Sequence, residues 1–463
     1  MLLFGTLIRM VGAFVFVLFA ASKLGLDGFG AYSVATFYYE LMVSLAATAV
    51  GILLTRDVAR WRRHCNQLTT SALAATGALS CVAALVLVLG CYFSNFSLAT
   101  KTALTLSAVA ILPGALGMVL EALLVGLERA EFVTMGVTIE SVVRLGGSFV
   151  ALMMGCELWV LFVILVISRS LQLVFYLACS WRVAGLRLSL SPHRTRRFAR
   201  RWLVFAGENW LATIYTSLDV LVLSIMVGEA AVGIYSAAWK VIRLGSVVAK
   251  TYTTAVFPVM SQLHHSGSAN FKRVNEDTVR LMLAISLPLI CALTLVSDRV
   301  IALLYDLPEF AASIPVLQVL IWVLLTNVLN PFLSHRLFAE EKQHKSLYVA
   351  SIGFGVNFVA TIVLTYFYQE LGAAIGTLIS GLVAMVMYMY FAMSREELNN
   401  AISICLRSLV IGAAIACVVM FNREASLPWL VVMCIPVYAA LTWALQVIQS
   451  SDMRIIKSIV IRG

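Results

Sequence analysis

Apolar residues run along this chain in blocks of about twenty, separated by short polar stretches. The blocks fall at roughly 3–22, 30–54, 70–93, 102–126, 132–154, 157–181, 202–227, 231–260, 279–297, 313–335, 346–368, 370–393, 401–421 and 427–449. At ~20 apolar residues per crossing they predict an all-α polytopic membrane protein of about fourteen transmembrane helices. The last two blocks stand apart from the rest, and Pro428 and Pro436 interrupt the final one.

A second pattern overlies the first. Gly28–Ala35 reads GFGAYSVA, and Ala231–Ala238 reads AVGIYSAA. Gly30 and Gly233, Tyr32 and Tyr235, Ser33 and Ser236, Ala35 and Ala238 all match at one constant offset. Such spacing predicts two repeats of six helices each. The expected domains are an N-terminal lobe at 1–181, a basic cytoplasmic linker at 182–201, a C-terminal lobe at 202–393, and two extra helices with a basic tail at 394–463. Six spans per half make the repeats parallel, with substrate expected between them near mid-depth.

Composition agrees. The chain is 61% hydrophobic and 12% charged, with a mean hydropathy of +0.96, whereas soluble domains carry roughly 25% charged residues. A core apolar on all sides requires lipid outside it, and no segment is polar enough for a separate soluble domain. Met1–Ser22 has the outline of a secretory signal with a small-residue cleavage site. The KLGLDGFGAY that follows it returns later behind an uncleaved span, so 3–22 reads as the first span. Nine cysteines lie scattered, with no CxxC and no Cys/His cluster. Neither a metal site nor a disulfide framework is expected, and no cofactor.

The net charge of +10 is unevenly placed. One set of loops holds Arg56, Arg60, Arg62 and Arg63, then Arg129, the arginines of 182–201, Lys272, Arg273 and Arg280, Arg336, Lys342 and Lys345, Arg395, and Arg454, Lys457 and Arg462. The opposite loops hold only Lys23, Lys101, Arg299 and Arg423. By the positive-inside rule both termini are cytoplasmic. The run PHRTRRFARRW at 192–202 then reads as a membrane-surface linker between halves, with no nucleic-acid partner. The non-cytoplasmic loops are all short. The longest, Arg299–Ala312, leaves no room for a reaction chamber, so the chain reads as a transporter and not an enzyme.

Charges inside the spans carry the candidate chemistry, since each costs ~2.5–3.5 kcal/mol near a helix centre without a partner or water. On span 8, Ser236, Lys240, Arg243, Val247, Lys250, Thr251 and Thr254 share one helical face. Lys240 to Lys250 covers ~15 Å of axis. This stripe holds three cations and no acid, and is read as an anion-binding wall rather than a structural ion-pair network. Span 2 aligns Ser33, Glu40 and Ser44, and Glu40 matches Arg243 at the repeat offset. Glu208 and Asp219 share a face of span 7. Arg9 lies beside Gly5, Gly12 and Ala13, where a helix contact is the alternative. Glu140 and Arg144, four apart, are read first as a pair within one helix. Arg169 stands among Ser168, Ser170 and Gln172, and Arg407 lies close enough to a helix end to snorkel.

These features meet a known pattern. KLGLDGFGAYSVA, the Arg56-Asp57 pair closing span 2, and Asp219 followed by GEAAVGIYSAAWK form its first part. SDRVIALLYD with LQVL, FAEEKQHKSL before Asn357, and LGAAIGTLIS at 371–380 complete it. Together, from about residue 20 to 395, they resemble the polysaccharide flippases of the Wzx type. Those belong to the multidrug/oligosaccharidyl-lipid/polysaccharide (MOP) transporter superfamily, although this chain has fewer residues before span 1.

The resemblance implies two lobes of the MATE/MurJ kind around a central cavity, in the bacterial inner membrane. It implies alternating-access flipping of an undecaprenyl-diphosphate-linked oligosaccharide, with the polysaccharide polymerase machinery as a further partner. Arg9, Arg56, Lys240, Arg243 and Lys250 stand where the lipid's diphosphate would be held, with Arg144 and Arg169 as secondary candidates. Arginine suits bidentate phosphate contact. There is no Walker A loop, so a proton or sodium gradient, or the membrane potential acting on the anionic headgroup, is expected to drive transport, with Glu40, Asp219 and Glu208 as the candidate coupling acids. The alternatives are a flippase for a lipid-linked peptidoglycan precursor and a cation-coupled drug antiporter of the same superfamily. The antiporter would want an acidic cavity.

Overall fold

The computed structural model describes residues 2–185, 192–265, 270–305 and 308–445, with the backbone alone at 2–11, 63, 192–201, 203–205, 208, 244, 247–259, 261, 263–265, 270 and 431. The side chains of Arg9, Glu208 and Lys250 therefore lie outside the described residues. The helices are α1 (Leu2–Arg60), α2 (Cys65–Phe93), α3 (Leu98–Gly126), α4 (Ala130–Ser141), α5 (Gly147–Met153), α6 (Leu158–Ala184), α7 (Pro192–Met226), α8 (Glu229–His265), α9 (Asn270–Leu295), α10 (Ser297–Tyr305), α11 (Ser313–Ala339), α12 (Gln343–Ala392), α13 (Arg395–Phe421) and α14 (Leu427–Ala444). No strand occurs among the described residues.

Among those residues, eleven helices are long and apolar enough to cross a membrane. Two of them are far longer than the ~30 Å hydrocarbon layer needs, and each is broken once. The break in α1 is at Gly25 (φ 67°) and that in α12 at Gln369 (φ 51°). Both lie between blocks that the apolar pattern keeps apart. In α12 the legs fold back on each other. Asn357 Nδ2 donates to Ser380 Oγ at 2.8 Å, Ser346 Oγ meets the Tyr388 hydroxyl at 3.4 Å, and Gly376 packs on the Thr361 backbone.

The faces of these helices are inverted relative to a protein in water. On α2, Thr69, Thr76 and Ser80 are fully buried, while Val82, Leu85, Val86 and Leu89 stand exposed on the opposite side. On α12, Asn357, Thr361 and Thr365 are buried and Phe358, Val359 and Val363 are exposed. Only a lipid solvent makes that arrangement favourable, because small hydroxylated residues allow close helix contacts and an apolar stripe meets acyl chains. The chain is a multi-pass helical membrane protein.

It divides into two compact units, Met1–Gly233 and Ile234–Gly463. In the first, α3 packs against α1, α2 and α6, and α7 against α1 and α2. Small residues permit the α1–α3 crossing. Gly51 faces Ala122, Gly126 sits on the Thr55 carbonyl and Val58, and Thr55 Oγ1 donates to Ala122 O at 3.0 Å. Leu53, Leu54, Val58, Leu120, Leu123, Leu124 and Tyr176 form the apolar end of this unit.

The first turn of α8 belongs to the same unit. A Cβ at Gly30 would strike the Glu229 carbonyl, and one at Gly233 would lie 3.0 Å from Gly30 Cα, so the two echoed glycines touch backbone to backbone. Gly228, just before α8, has φ 118° and stands from Gly25 at the same offset as Gly233 from Gly30. Glu229 then caps α3. Its carboxylate accepts from Ser97 N at 2.7 Å, from Ser97 Oγ at 3.1 Å and from the Thr100 hydroxyl, at a helix N-terminus where negative charge is favoured.

In the second unit α11 packs on α9 and α12, and α13 on α9 and α14. Ala284, Val296, Ile411, Ile415, Val419 and Leu430 fill the seam that carries the last two helices. The described residues of Arg299–Ala312 are the end of α10 and a short 3-10 turn at Pro308–Ala312. Their anchor is Tyr305, buried, stacked on Phe310 at 4.7 Å and donating to Ala237 O at 3.0 Å. Burial pushes that phenol above its ordinary ionisation range. Arg407 donates to Leu445 O at 3.2 Å.

The units share a helix stop. Glu128 (φ 62°) ends α3 and Glu341 (φ 58°) ends α11. In each the next amide reaches back five residues, Arg129 N to Leu124 O at 2.9 Å and Lys342 N to Leu337 O at 2.8 Å. This is the Schellman geometry that satisfies terminal carbonyls.

Beyond the second stop lies a buried ion cluster. Arg336 donates from Nε to Glu340 Oε1 at 3.0 Å and from Nη2 to both oxygens of Glu397 at 3.0 and 3.1 Å. Lys342 adds 2.7 Å to Glu340. Glu397 also caps α13 through the Ser394 amide at 2.7 Å, and nearby Lys272 of α9 holds Glu396 of α13 at 2.6 Å. The basic pattern along the chain groups Arg336 with loop residues; it is buried on α11 instead.

Candidate functional site

The densest polar assembly of the first unit grows from three helices of ordinary amphipathic spacing. On the second leg of α1, Tyr32, Thr36, Glu40, Ser44 and Thr48 recur every four residues, and Tyr39 stands beside Glu40. On α6, Arg169 and Gln172 stand three residues apart. Glu140 ends α4, and a π-helical turn at Val142–Gly146 separates α4 from α5. That turn carries Arg144, and such bulges re-aim a side chain within a helix.

Glu140 is the hub, almost fully buried. Arg144 Nε donates to its Oε1 at 2.6 Å, and Arg169 Nη2 lies 3.4 Å from the same oxygen. The expected i, i+4 pair is therefore present but enlarged by a second guanidinium. Arg169 Nη1 donates to Gln172 Oε1 at 3.1 Å, and its guanidinium lies 5.8 Å from the Tyr39 ring centroid. Gln172 passes the chain to the Tyr176 hydroxyl at 3.4 Å, which donates to Val133 O at 3.1 Å. Gly136 leaves the space Tyr176 occupies, and Gly114 does the same for the Tyr39 hydroxyl. The wall is thus fixed from behind by main chain.

Two cavities open on it. The larger, about 220 Å³, is lined by Tyr39, Glu40, Ser44, Thr48, Met118 and Arg169. The smaller, about 50 Å³, reaches Arg144, Tyr32 and Phe162 and shares Tyr39, Glu40 and Arg169. At ~30 Å³ per water the larger holds several waters. Glu40 makes no ion pair among the described residues, and Ser44 Oγ lies 3.1 Å from Thr48 Oγ1 and 3.5 Å from Thr213 Oγ1. Two carboxylates balance two guanidiniums here.

Of the residues picked from the sequence, the structure brings together Glu40, Arg144 and Arg169. Arg56 is elsewhere, ~24 Å along the helix from Glu40, half-exposed and bonded to the buried Asp57 at 3.2 Å. Asp219 is buried on α7, its Oδ1 accepting from Val220 N at 2.9 Å. Lys240 is half-buried and Arg243 exposed on α8, in the second unit. Next to them Asn327 Nδ2 of α11 donates to Ser246 Oγ at 3.3 Å. Tyr39 and Thr48 escaped the sequence reading, which aligned Glu40 with Ser33 and Ser44. Thr48 stands one further four-residue step past Ser44, and that step was the signal that could have found it.

Known proteins agree with this architecture. Residues 1–264 match the family described as polysaccharide biosynthesis protein, and residues 205–363 match the MatE family. The "Probable flippase AglR" of Haloferax volcanii is 25% identical over 205 residues, 43% of this chain and 43% of that protein. The chain thus aligns with well under half of that relative's length. Among solved structures, the lipid II flippase MurJ in an inward closed conformation superposes with a TM-score of 0.78 at 15% identity, over 96% of this chain and 97% of that one. An inward-facing multidrug resistance MATE family transporter of the MOP superfamily gives 0.64 at 14% identity, over 83% and 94%. These likenesses are of fold. Since the first family match takes in more than half of the residues, the chain belongs to the polysaccharide biosynthesis protein family.

Proposed function

We propose that the protein is a flippase that carries an undecaprenyl-diphosphate-linked oligosaccharide across the bacterial inner membrane for polysaccharide export, without catalysing a reaction. The observation that carries this reading is the family match over residues 1–264 on a chain with the fold of a lipid flippase. Physics supports it: a diphosphate with its sugars does not cross ~30 Å of hydrocarbon unaided. Lys240 and Arg243 of α8, with Lys250, Arg9 and Arg56, contact the diphosphate in this reading. Asp219, buried on α7, carries the coupling proton or sodium ion, with Glu208 as its companion. The MatE match favours a second reading, a drug antiporter of the same superfamily. Deleting the gene decides between them. A flippase strain accumulates lipid-linked repeat units on the cytoplasmic side and loses surface polysaccharide. A strain with unchanged glycolipid pools and new drug sensitivity would reverse the choice.

The same reading puts both termini in the cytoplasm, supported by the gathering of basic residues in alternate loops. Reporter fusions at residue 195 and after Gly463 are expected to be active only with a cytoplasmic reporter. Periplasmic activity at either point refutes this orientation.

A further inference from the structure

We infer that the 220 Å³ cavity of the first unit is a subsite for one neutral pyranose ring of the transported glycan, distinct from the diphosphate contact. The inference rests on the flippase reading and assigns a different part of the same substrate.

Charge excludes the diphosphate here. Glu40 and Glu140 cancel Arg144 and Arg169, and both guanidiniums already share the Glu140 carboxylate. A dianion gains little where the net charge is zero, and a bare cation is opposed by two arginines. Hydrogen-bonding capacity points to a polyol. Glu40 is acceptor-only and carries no ion pair among the described residues. Arg169 is donor-only, and Ser44 and Thr48 each donate and accept. Adjacent ring hydroxyls meet that set in both senses, donating to the carboxylate and accepting from the guanidinium. The remaining lining, Tyr39, Val43 and Met118, suits the C–H faces of a sugar.

Size and rigidity agree. The volume exceeds what an ion needs and falls short of an oligosaccharide. The wall does not have to form on binding. Gly114 seats Tyr39, while Glu140 and Gln172 hold Arg169, so little ordering entropy is lost when a ring enters.

The test uses the full-length protein in nanodiscs and two probes, undecaprenyl diphosphate and undecaprenyl-diphosphate-linked N-acetylglucosamine. Wild type is expected to bind the glycosylated lipid about tenfold more tightly, the worth of one or two net hydrogen bonds. Glu40→Gln removes most of that preference and leaves the bare lipid's affinity unchanged. Ser44→Val, which removes a lining hydroxyl without touching a charge, does the same. Equal binding of both lipids by wild type overturns the subsite alone. Failure of wild type to bind either lipid overturns the flippase reading and the subsite with it. If Glu40→Gln weakens both lipids equally, the residue serves the diphosphate. If it keeps the preference and loses only a proton or sodium dependence, it is a coupling acid. Either result refutes the sugar subsite.

Discussion

Arg243→Ala will abolish surface polysaccharide at normal expression while the protein inserts and purifies as wild type. Arg243 is exposed on a helix of a chain that also exposes many large aliphatic and aromatic residues. An arginine facing hydrocarbon costs ~2.5–3.5 kcal/mol on insertion scales, so a guanidinium standing free of the protein interior meets water or a phosphate. Loss of one charge-assisted contact removes ~1.5–3 kcal/mol, roughly ten- to hundredfold in affinity for the diphosphate. Arg243→Lys keeps the charge without the planar fork and should retain partial export. Arg407→Ala is the control. Arg407 is spent on the Leu445 carbonyl, and its loss should leave export near wild type. Polysaccharide measured by immunoblot at the wild-type level in Arg243→Ala, and likewise in Lys240→Ala, would remove this face from substrate binding.

Glu397→Gln will lower the unfolding temperature of the detergent-purified protein more than any substitution at an exposed charge. Arg336 and Glu397 are 5% and 3% exposed, and the guanidinium holds both carboxylate oxygens. Breaking such a pair by one partner typically costs ~3–5 kcal/mol, because the other charge stays buried. The cap of α13 is spared, because a glutamine carbonyl still accepts from the Ser394 amide, so the loss reports the ion pair. Neutralising both partners, Arg336→Met with Glu397→Gln, should recover much of the stability, since the glutamine keeps the cap and Lys342 still holds Glu340. A single variant that melts with wild type would show that the pair contributes nothing.

What was legible beforehand, and what was not, follows from sequence distance. Apolar blocks located the helices because a lipid solvent demands long uninterrupted runs. The GFGAYSVA echo was legible because a Cβ at Gly30 would strike the Glu229 carbonyl and one at Gly233 would press on Gly30 at 3.0 Å. The Glu140–Arg144 pair was visible in its spacing. Arg169 as a third member was not, since it comes from α6 and nothing local announces it. Arg336 was grouped with cytoplasmic basic residues because Lys342 and Lys345 surround it in sequence, while its decisive partner, Glu397, opens another helix. α10 was passed over as loop because nine residues cannot span a membrane, although they suffice to bury Tyr305.

The bend at Gln369 bears on how the chain enters the bilayer during synthesis. The two legs of α12 meet across one non-helical residue, so no polar stretch is available to remain outside while one leg waits for the other. The first leg carries Asn357, Thr361 and Thr365, which are costly in hydrocarbon alone, and the second supplies Ser380 as partner and Gly372 and Gly376 as clearance. The pair therefore inserts as a single hairpin. Its tip holds no lysine or arginine to orient it, and the basic residues nearest its open end are Lys342 before it, Lys345 in its first turn and Arg395 after it. Those three set the direction in which it points.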